Sequence, residues 1–105
     1  MTKSDLALFK NMNKTLDVLS GFFTYVLFSQ KDKKFYVGFT HNIEQRLIDH
    51  NSGSVDSTKS RRPLLLIHYE YFTNEDDAKA REVFLKSGFG RKQLRLSLKK
   101  TLNNL

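Results

Sequence analysis

The sequence contains no cysteine among its 105 residues. Disulfide frameworks, thiolate zinc sites and cysteine nucleophiles are therefore all excluded. No apolar run approaches the ~20 residues that a membrane-spanning helix needs, and the N-terminus lacks the basic and then apolar pattern of a signal peptide. We expect a soluble, cytoplasmic protein that makes no membrane contact.

Acidic residues are absent from the last part of the chain, because none follows Glu82. The whole chain carries 18 Lys and Arg against 11 Asp and Glu, a net charge of +7. Clustered cations predict a polyanion partner, since each cation docked on a phosphate releases counterions; a solvated surface is the alternative interpretation. The candidate nucleic-acid-binding residues are Lys59, Arg61 and Arg62 in mid-chain and Lys86, Arg91, Lys92 and Arg95 near the end.

The length of the chain corresponds to one folded domain. A hydrophobic fraction of 39%, with nine phenylalanines and four tyrosines, is enough to form a core. We predict a leader over residues 1–20, helical or loosely ordered, and a domain over residues 21–105. We expect this domain to be a monomer or a weak homodimer.

Three segments rich in β-branched and aromatic residues predict strands, over residues 23–29, 34–40 and 64–72. The first is apolar on both faces, as in a strand that is covered on both sides. A polar turn joins it to the second segment and predicts a hairpin. The predicted fold class is therefore α+β, with a small three-stranded antiparallel sheet flanked by helices.

Capping residues and glycines delimit the predicted helices. Asn42 is a good N-cap for a short helix that ends near Asn51 and Gly53. Residues 51–62 show no apolar periodicity, which predicts an exposed loop.

The C-terminal part predicts two more helices. Thr73 or Asn74 caps a helix that runs to about Ser87, where Gly88 and Gly90 are expected to break it. Leucines at four-residue spacing then predict a basic amphipathic helix over residues 91–102.

Five polar side chains form a candidate site. Tyr25 and Tyr36 lie on the two strands of the hairpin, so both can project from one face of the sheet. Arg46 and His50 are at i and i+4 and share a helix face, and Glu82 lies on a different helix. A cation, a base and a hard oxygen ligand are what phosphodiester hydrolysis requires.

These residues carry a resemblance to a known family. Phe23-Thr24-Tyr25 and Tyr36-Val37-Gly38 resemble the paired signatures of the GIY-YIG endonucleases, with Phe23 and Thr24 replacing the usual glycine and isoleucine. The resemblance extends over about residues 22–95, includes Arg46, His50 and Glu82 in the same order, and is similar to small stand-alone bacterial members. Phe39, just after the second signature, replaces a lysine of some relatives.

The resemblance implies a role for each residue. Glu82 would be the only protein carboxylate on a Mg²⁺ or Mn²⁺ ion. Arg46 would clamp the phosphate, and Tyr36 or Tyr25 would orient or deprotonate the attacking water. His50 would support the phosphate or take part in proton transfer, and Gly38 would be a structural part of the motif.

The function expected from the resemblance is metal-dependent hydrolysis of DNA, structure-selective or weakly sequence-specific, in DNA repair, recombination or processing. RNA is retained as an alternative substrate. A nucleic-acid-binding module with the same fold and little catalysis is the first alternative function, and a protein-interaction domain is the second. Each residue also has a structural alternative: the tyrosines as ordinary strand aromatics, Glu82 as a partner of Lys79 and Lys86, and His50 as a structural or solvated side chain.

Overall fold

The structure is a computed structural model that describes residues 2–4 and 21–105. The predicted leader therefore lies outside the described residues, apart from residues 2–4. Every helix within the described ranges is too short or too polar to cross a membrane.

Three antiparallel strands form one sheet in the order β2-β1-β3. The central strand β1, Phe22–Ser29, is buried over residues 24–29 because its apolar side chains point alternately into two covered faces. Its neighbours are β2, Phe35–Thr40, and β3, Leu64–Phe72. The α+β fold class is confirmed, and all three strand predictions are correct to within one residue at each end.

Within residues 21–105, four α-helices surround the sheet: α1 (Ile43–Ser52), α2 (Glu75–Lys86), α3 (Gly88–Ser97) and α4 (Lys99–Asn103). The first, α1, ends at Gly53, whose φ of 83° is the left-handed conformation that suits glycine. The side chain of Asn42 caps α1, as predicted, and that of Asn74 caps α2.

The two faces of the sheet carry separate apolar clusters. On one face, Tyr25 and Leu27 pack with residues of α1. On the other face, Val26 and Phe28 pack with residues of α2 and α3. This division follows from the alternation of side chains along β1, and it means that α1 and α2 reach any shared site from opposite sides of the sheet.

The prediction that a helix runs to about Ser87 and then breaks is confirmed, because α2 ends at Lys86. The prediction that Gly88 and Gly90 make this break was wrong. Both glycines lie in the first turn of α3, whose N-cap is Ser87, and the side chain of Ser87 accepts a hydrogen bond from Gly90 N. The predicted helix over residues 91–102 is also divided, at Leu98. Glycine is tolerated here because Gly90 packs directly on the end of α2, where a Cβ would lie 2.0 Å from Phe84 O.

The prediction of an exposed loop over residues 51–62 was wrong in part. The first two residues continue α1, and Lys59–Arg61 forms a short 3-10 helix. Thr58 is completely buried. Its hydroxyl is paired with a buried histidine, which satisfies its polar atom and permits the burial.

Gly90→Ala should lower the free energy of unfolding by about 2 kcal/mol, because the added methyl group would collide with backbone of α2. Urea denaturation measures this change. Gly88→Ala is the matched control, since its Cβ would meet no atom within 4 Å, and it should be neutral or slightly stabilising. Equal stabilities for the two variants would contradict the close packing of α2 and α3.

Candidate active site

Tyr25 reaches the site by crossing a neighbouring strand. It pairs with Gly38 of β2 in the sheet, and its ring lies over the place where a side chain of residue 38 would be. A Cβ on Gly38 would lie 2.4 Å from both Cζ and Oη of Tyr25. The missing side chain therefore allows a tyrosine from the central strand to extend its hydroxyl across β2, which is an edge strand of the sheet.

The hydroxyl of Tyr25 joins the two candidate residues of α1. It lies 2.8 Å from Nε2 of His50 and accepts a hydrogen bond from Nε of Arg46 at 3.3 Å. The other ring nitrogen of His50, Nδ1, lies 2.7 Å from Oγ1 of Thr58. A continuous chain of polar contacts thus runs from the buried Thr58 to the half-buried Arg46.

Burial determines the charge of this network. It raises the pKa of Tyr25 to about 12, although the hydrogen bond from Arg46 acts in the opposite direction. Burial, followed by the charge of Arg46, lowers the pKa of His50 to about 4. The hydrogen bond to Tyr25 raises the pKa of Arg46. Near neutral pH the phenol and the imidazole are therefore both uncharged, and the guanidinium is the only charge in the network.

A neutral His50 links the two hydroxyl groups in either tautomer. One ring nitrogen carries a proton and donates, while the other accepts from the hydroxyl on its side. His50 has no exposed surface, so it contacts Tyr25 and Thr58 rather than solvent. This placement gives His50 the position of a support for Tyr25.

Tyr36 is the more accessible of the two candidate tyrosines. Its ring centroid lies 5.0 Å from that of His50 and 6.4 Å from that of Tyr25. Tyr36 is half-buried, whereas Tyr25 is completely buried. The structure thus brings both tyrosines, Arg46 and His50 together, and Tyr36 and Arg46 are the members with surface open to a ligand.

Glu82 approaches from the other face of the sheet. It lies on α2, along the same helix stripe as Lys79, whose ammonium lies 5.5 Å from the ring centroid of Phe39 on β2. The charge of Glu82 is among the smaller causes of the raised pKa of Tyr25. Its carboxylate is 3.0 Å from Nζ of Lys86 and retains 21% of its side-chain exposure. Glu82 therefore borders the site at the edge of β2 and has an exposed lysine as its partner.

The basic candidates differ in their surroundings. Arg61 is held by Asp32 and by the carbonyl of Phe35, and Arg95 lies over the ring of Phe35 at 4.7 Å. The two basic clusters of the sequence thus meet at the start of β2. The exposed candidates are Lys59, Arg62, Lys86, Arg91, Lys92 and Arg95.

Sequence reasoning did not identify Thr58. Its segment is rich in small polar residues, and nothing in the local pattern distinguishes Thr58 from Ser57 or Ser60. Only its distance from the ring of His50 in the folded chain identifies it as part of the network.

The chain is similar in sequence to several known bacterial proteins. A UPF0213 protein of Pediococcus acidilactici is 38% identical over 79 residues, which cover 72% of this chain and 80% of the relative. A UPF0213 protein of Clostridium perfringens is 33% identical over 81 residues, covering 76% and 86% of the two chains. A relative from Lactococcus lactis subsp. cremoris is 40% identical over 84 residues, covering 79% and 82%.

No solved structure matches the chain significantly. The family model described as the GIY-YIG catalytic domain matches residues 21–95. This match contains both tyrosine signatures, the α1 residues and Glu82, all of which the fold places around the edge of β2. The chain therefore belongs to the GIY-YIG catalytic domain family, a nuclease family whose substrates are nucleic acids.

Proposed function

We propose that this protein is an endonuclease that hydrolyses DNA phosphodiester bonds with the help of Mg²⁺ or Mn²⁺. The observation that supports the proposal best is the Tyr25 hydroxyl, which crosses Gly38 and holds Arg46 beside Tyr36. The cut is structure-selective or weakly sequence-specific and serves DNA repair, recombination or processing. The enzyme acts in the cytoplasm as a monomer or weak homodimer, and RNA is the alternative substrate.

Arg46 and Tyr36 contact the substrate in this proposal. Arg46 binds the scissile phosphate and neutralises the charge that develops in the transition state. Tyr36 orients the attacking water or takes its proton, because it is partly exposed and lies beside the Arg46 charge. Tyr25, whose raised pKa keeps it protonated, positions Arg46 instead of acting as the base.

Glu82 is the residue that would hold the metal ion. Among the described residues, no three His, Cys, Asp or Glu side chains are grouped closely enough to form a metal site of their own. The single carboxylate of Glu82 fits an ion that keeps most of its water. Its partner Lys86 is exposed and can move aside. When bound, the ion would stabilise negative charge on the phosphate oxygens.

Glu82→Gln should reduce cleavage by ~100-fold or more while preserving folding and much of the DNA affinity, because it removes the charge of the metal ligand. Arg46→Ala should also abolish cleavage. The measurement uses labelled single-stranded, duplex, nicked and branched DNA with Mg²⁺, Mn²⁺ or a chelator.

Glu75→Gln is the matched control, since Glu75 pairs with Lys79 on the same helix as Glu82 pairs with Lys86. It should cleave normally. Full activity of Glu82→Gln would reject the assignment. Binding without cleavage of any of these DNAs by the wild type would instead support the nucleic-acid-binding module.

Thr58→Val should lower kcat by roughly 10-fold or more with little change in KM, because Thr58 positions Arg46 through His50 and Tyr25. The substitution keeps the volume of the side chain and removes the hydroxyl. Thr58→Ser restores the hydroxyl and should recover kcat. If the serine variant is as slow as the valine variant, the hydroxyl is not the group that matters.

The neutral state of His50 also predicts a pH dependence of stability. The pKa of His50 falls from 6.5 to about 4 on folding, so the unfolded chain binds the proton more tightly than the folded chain. The contribution of neutral His50 to the free energy of unfolding is therefore complete above the unfolded pKa of 6.5. It is lost as the pH falls from 6.5 toward 4. Between pH 7 and pH 5 the loss is about 2 kcal/mol.

Urea denaturation of the wild type and His50→Gln at both pH values measures this effect. The glutamine can still accept a hydrogen bond from Tyr25 but does not titrate. The wild type should therefore lose more stability than the variant on acidification. Equal losses in the two proteins would show that His50 is not buried in its neutral form.

A further inference from the structure

A basic pocket lies beside the proposed active site, between the turn after β1 and the chain that follows α1. It has a volume of about 470 Å³. None of its lining residues is acidic, and the elements that form it are far apart in the sequence. We call it the loop pocket, and its lining residues are Lys31, Asn51, Lys59, Ser60, Arg62 and Pro63.

The 3-10 helix determines which basic residues enter the loop pocket. This helix has three residues per turn, so side chains three positions apart lie in line. Lys59 and Arg62 therefore share one side and line the pocket, and Nε of Arg62 donates to the carbonyl of Lys59 at 2.9 Å. Arg61 points away and pairs with Asp32, whose pKa it lowers to about 2.

The cations of the loop pocket are open to a ligand. Arg62 uses Nε for its bond to the chain, which leaves Nη1 and Nη2 as further donors. Its guanidinium lies against Gly53, where a Cβ would be 2.9 Å from Cζ. Lys59 is 3.7 Å from Asp56, but Asp56 is 96% exposed, so this ion pair is weak and a phosphate can replace it.

The loop pocket is directly connected to the proposed active site. The side chains of His50 and Thr58 are in hydrogen-bond contact, and each is followed in the chain by a residue that lines the pocket. These two lining residues are Asn51 and Lys59. Asn51 lies five residues after Arg46, which is ~7.5 Å along an α-helix axis at ~1.5 Å per residue. A DNA strand advances ~3.4 Å per nucleotide along its axis, so a pocket at this position along α1 lies within a few nucleotides of the phosphate held by Arg46.

We propose that the loop pocket binds a second, internal backbone phosphate of the nucleic acid, within a few nucleotides of the phosphate held by Arg46. Lys31, Lys59 and Arg62 neutralise this phosphate, and the hydroxyl of Ser60 adds a donor. Arg61, despite lying between two of these residues, is a structural residue. This proposal rests on the proposed function, because it takes Arg46 as the position of the scissile phosphate.

The test measures binding of fluorescein-labelled DNA by anisotropy at several salt concentrations, in a Glu82→Gln background that does not cleave. The Lys59→Gln, Arg62→Gln double variant should reduce the slope of log affinity against log salt by about 1, because one phosphate of the DNA is no longer neutralised. Arg61→Gln is the matched control. It should lower stability toward urea and leave the slope unchanged.

A scan with single neutral methylphosphonate linkages then locates the phosphate. One internal linkage should weaken binding by the parent protein and have no effect on the double variant. An unchanged salt slope in the double variant would overturn the proposal. An effect that depends only on a 5′-terminal phosphate would overturn the internal position.

The two proposals can fail separately. If the wild type shows no metal-dependent cleavage but the slope and the scan behave as expected, the phosphate site is supported and catalysis is rejected. If cleavage requires Glu82 but the double variant keeps the parent slope, the phosphate site is rejected and catalysis is supported.

Discussion

The close approach of the Tyr25 ring to the backbone of Gly38 is the constraint on which the rest of the site depends. A buried tyrosine on the central strand can reach the edge of the sheet only if the residue beside it on β2 has no side chain. Once the hydroxyl is there, it fixes the orientation of Arg46 and meets His50 from the same helix. The second signature of the sequence therefore combines two functions, because Tyr36 faces the site and Gly38 makes room for Tyr25.

The same arrangement separates groups that must be fixed from groups that must remain accessible. Thr58, His50 and Tyr25 are completely buried and uncharged near neutral pH. A neutral interior network costs less to bury than charged groups, and it can still orient the one cation at its end. Apart from Arg46, the charges that would meet a polyanion lie outside this network, on exposed side chains of the loop pocket and of α3.

The position of Glu82 depends on β2 being an edge strand of the sheet. It comes from a helix on the opposite face from Arg46, and the edge position of β2 lets both helices border one place. Had β2 been a central strand, a further strand would separate the two helices at this edge. The position of the carboxylate thus depends on the order of the strands as much as on α2 itself.

Much of the fold was predictable because its signals are local. Strand composition, the caps at Asn42 and Asn74, and the glycine that ends α1 each act on neighbouring residues, and the structure confirms the elements they predict. The prediction placed the start of the next helix at Arg91 instead of Gly88, because packing of Gly90 against the end of α2 overrides the low helix propensity of glycine.

Short stretches of the sequence predict the α+β class, the three strands and the candidate site residues, because side-chain alternation, helix spacing and the tyrosine signatures are local patterns. The packing of distant elements is needed to show that Tyr25 is buried while Tyr36 is accessible, that Thr58 contacts His50, and that Arg61 is paired with Asp32 whereas Arg62 is exposed. Burial and hydrogen bonding depend on residues far apart in the chain, such as Asp32 for Arg61 and His50 for Tyr25. Such partners depend on how the elements pack, and no local sequence pattern predicts this packing.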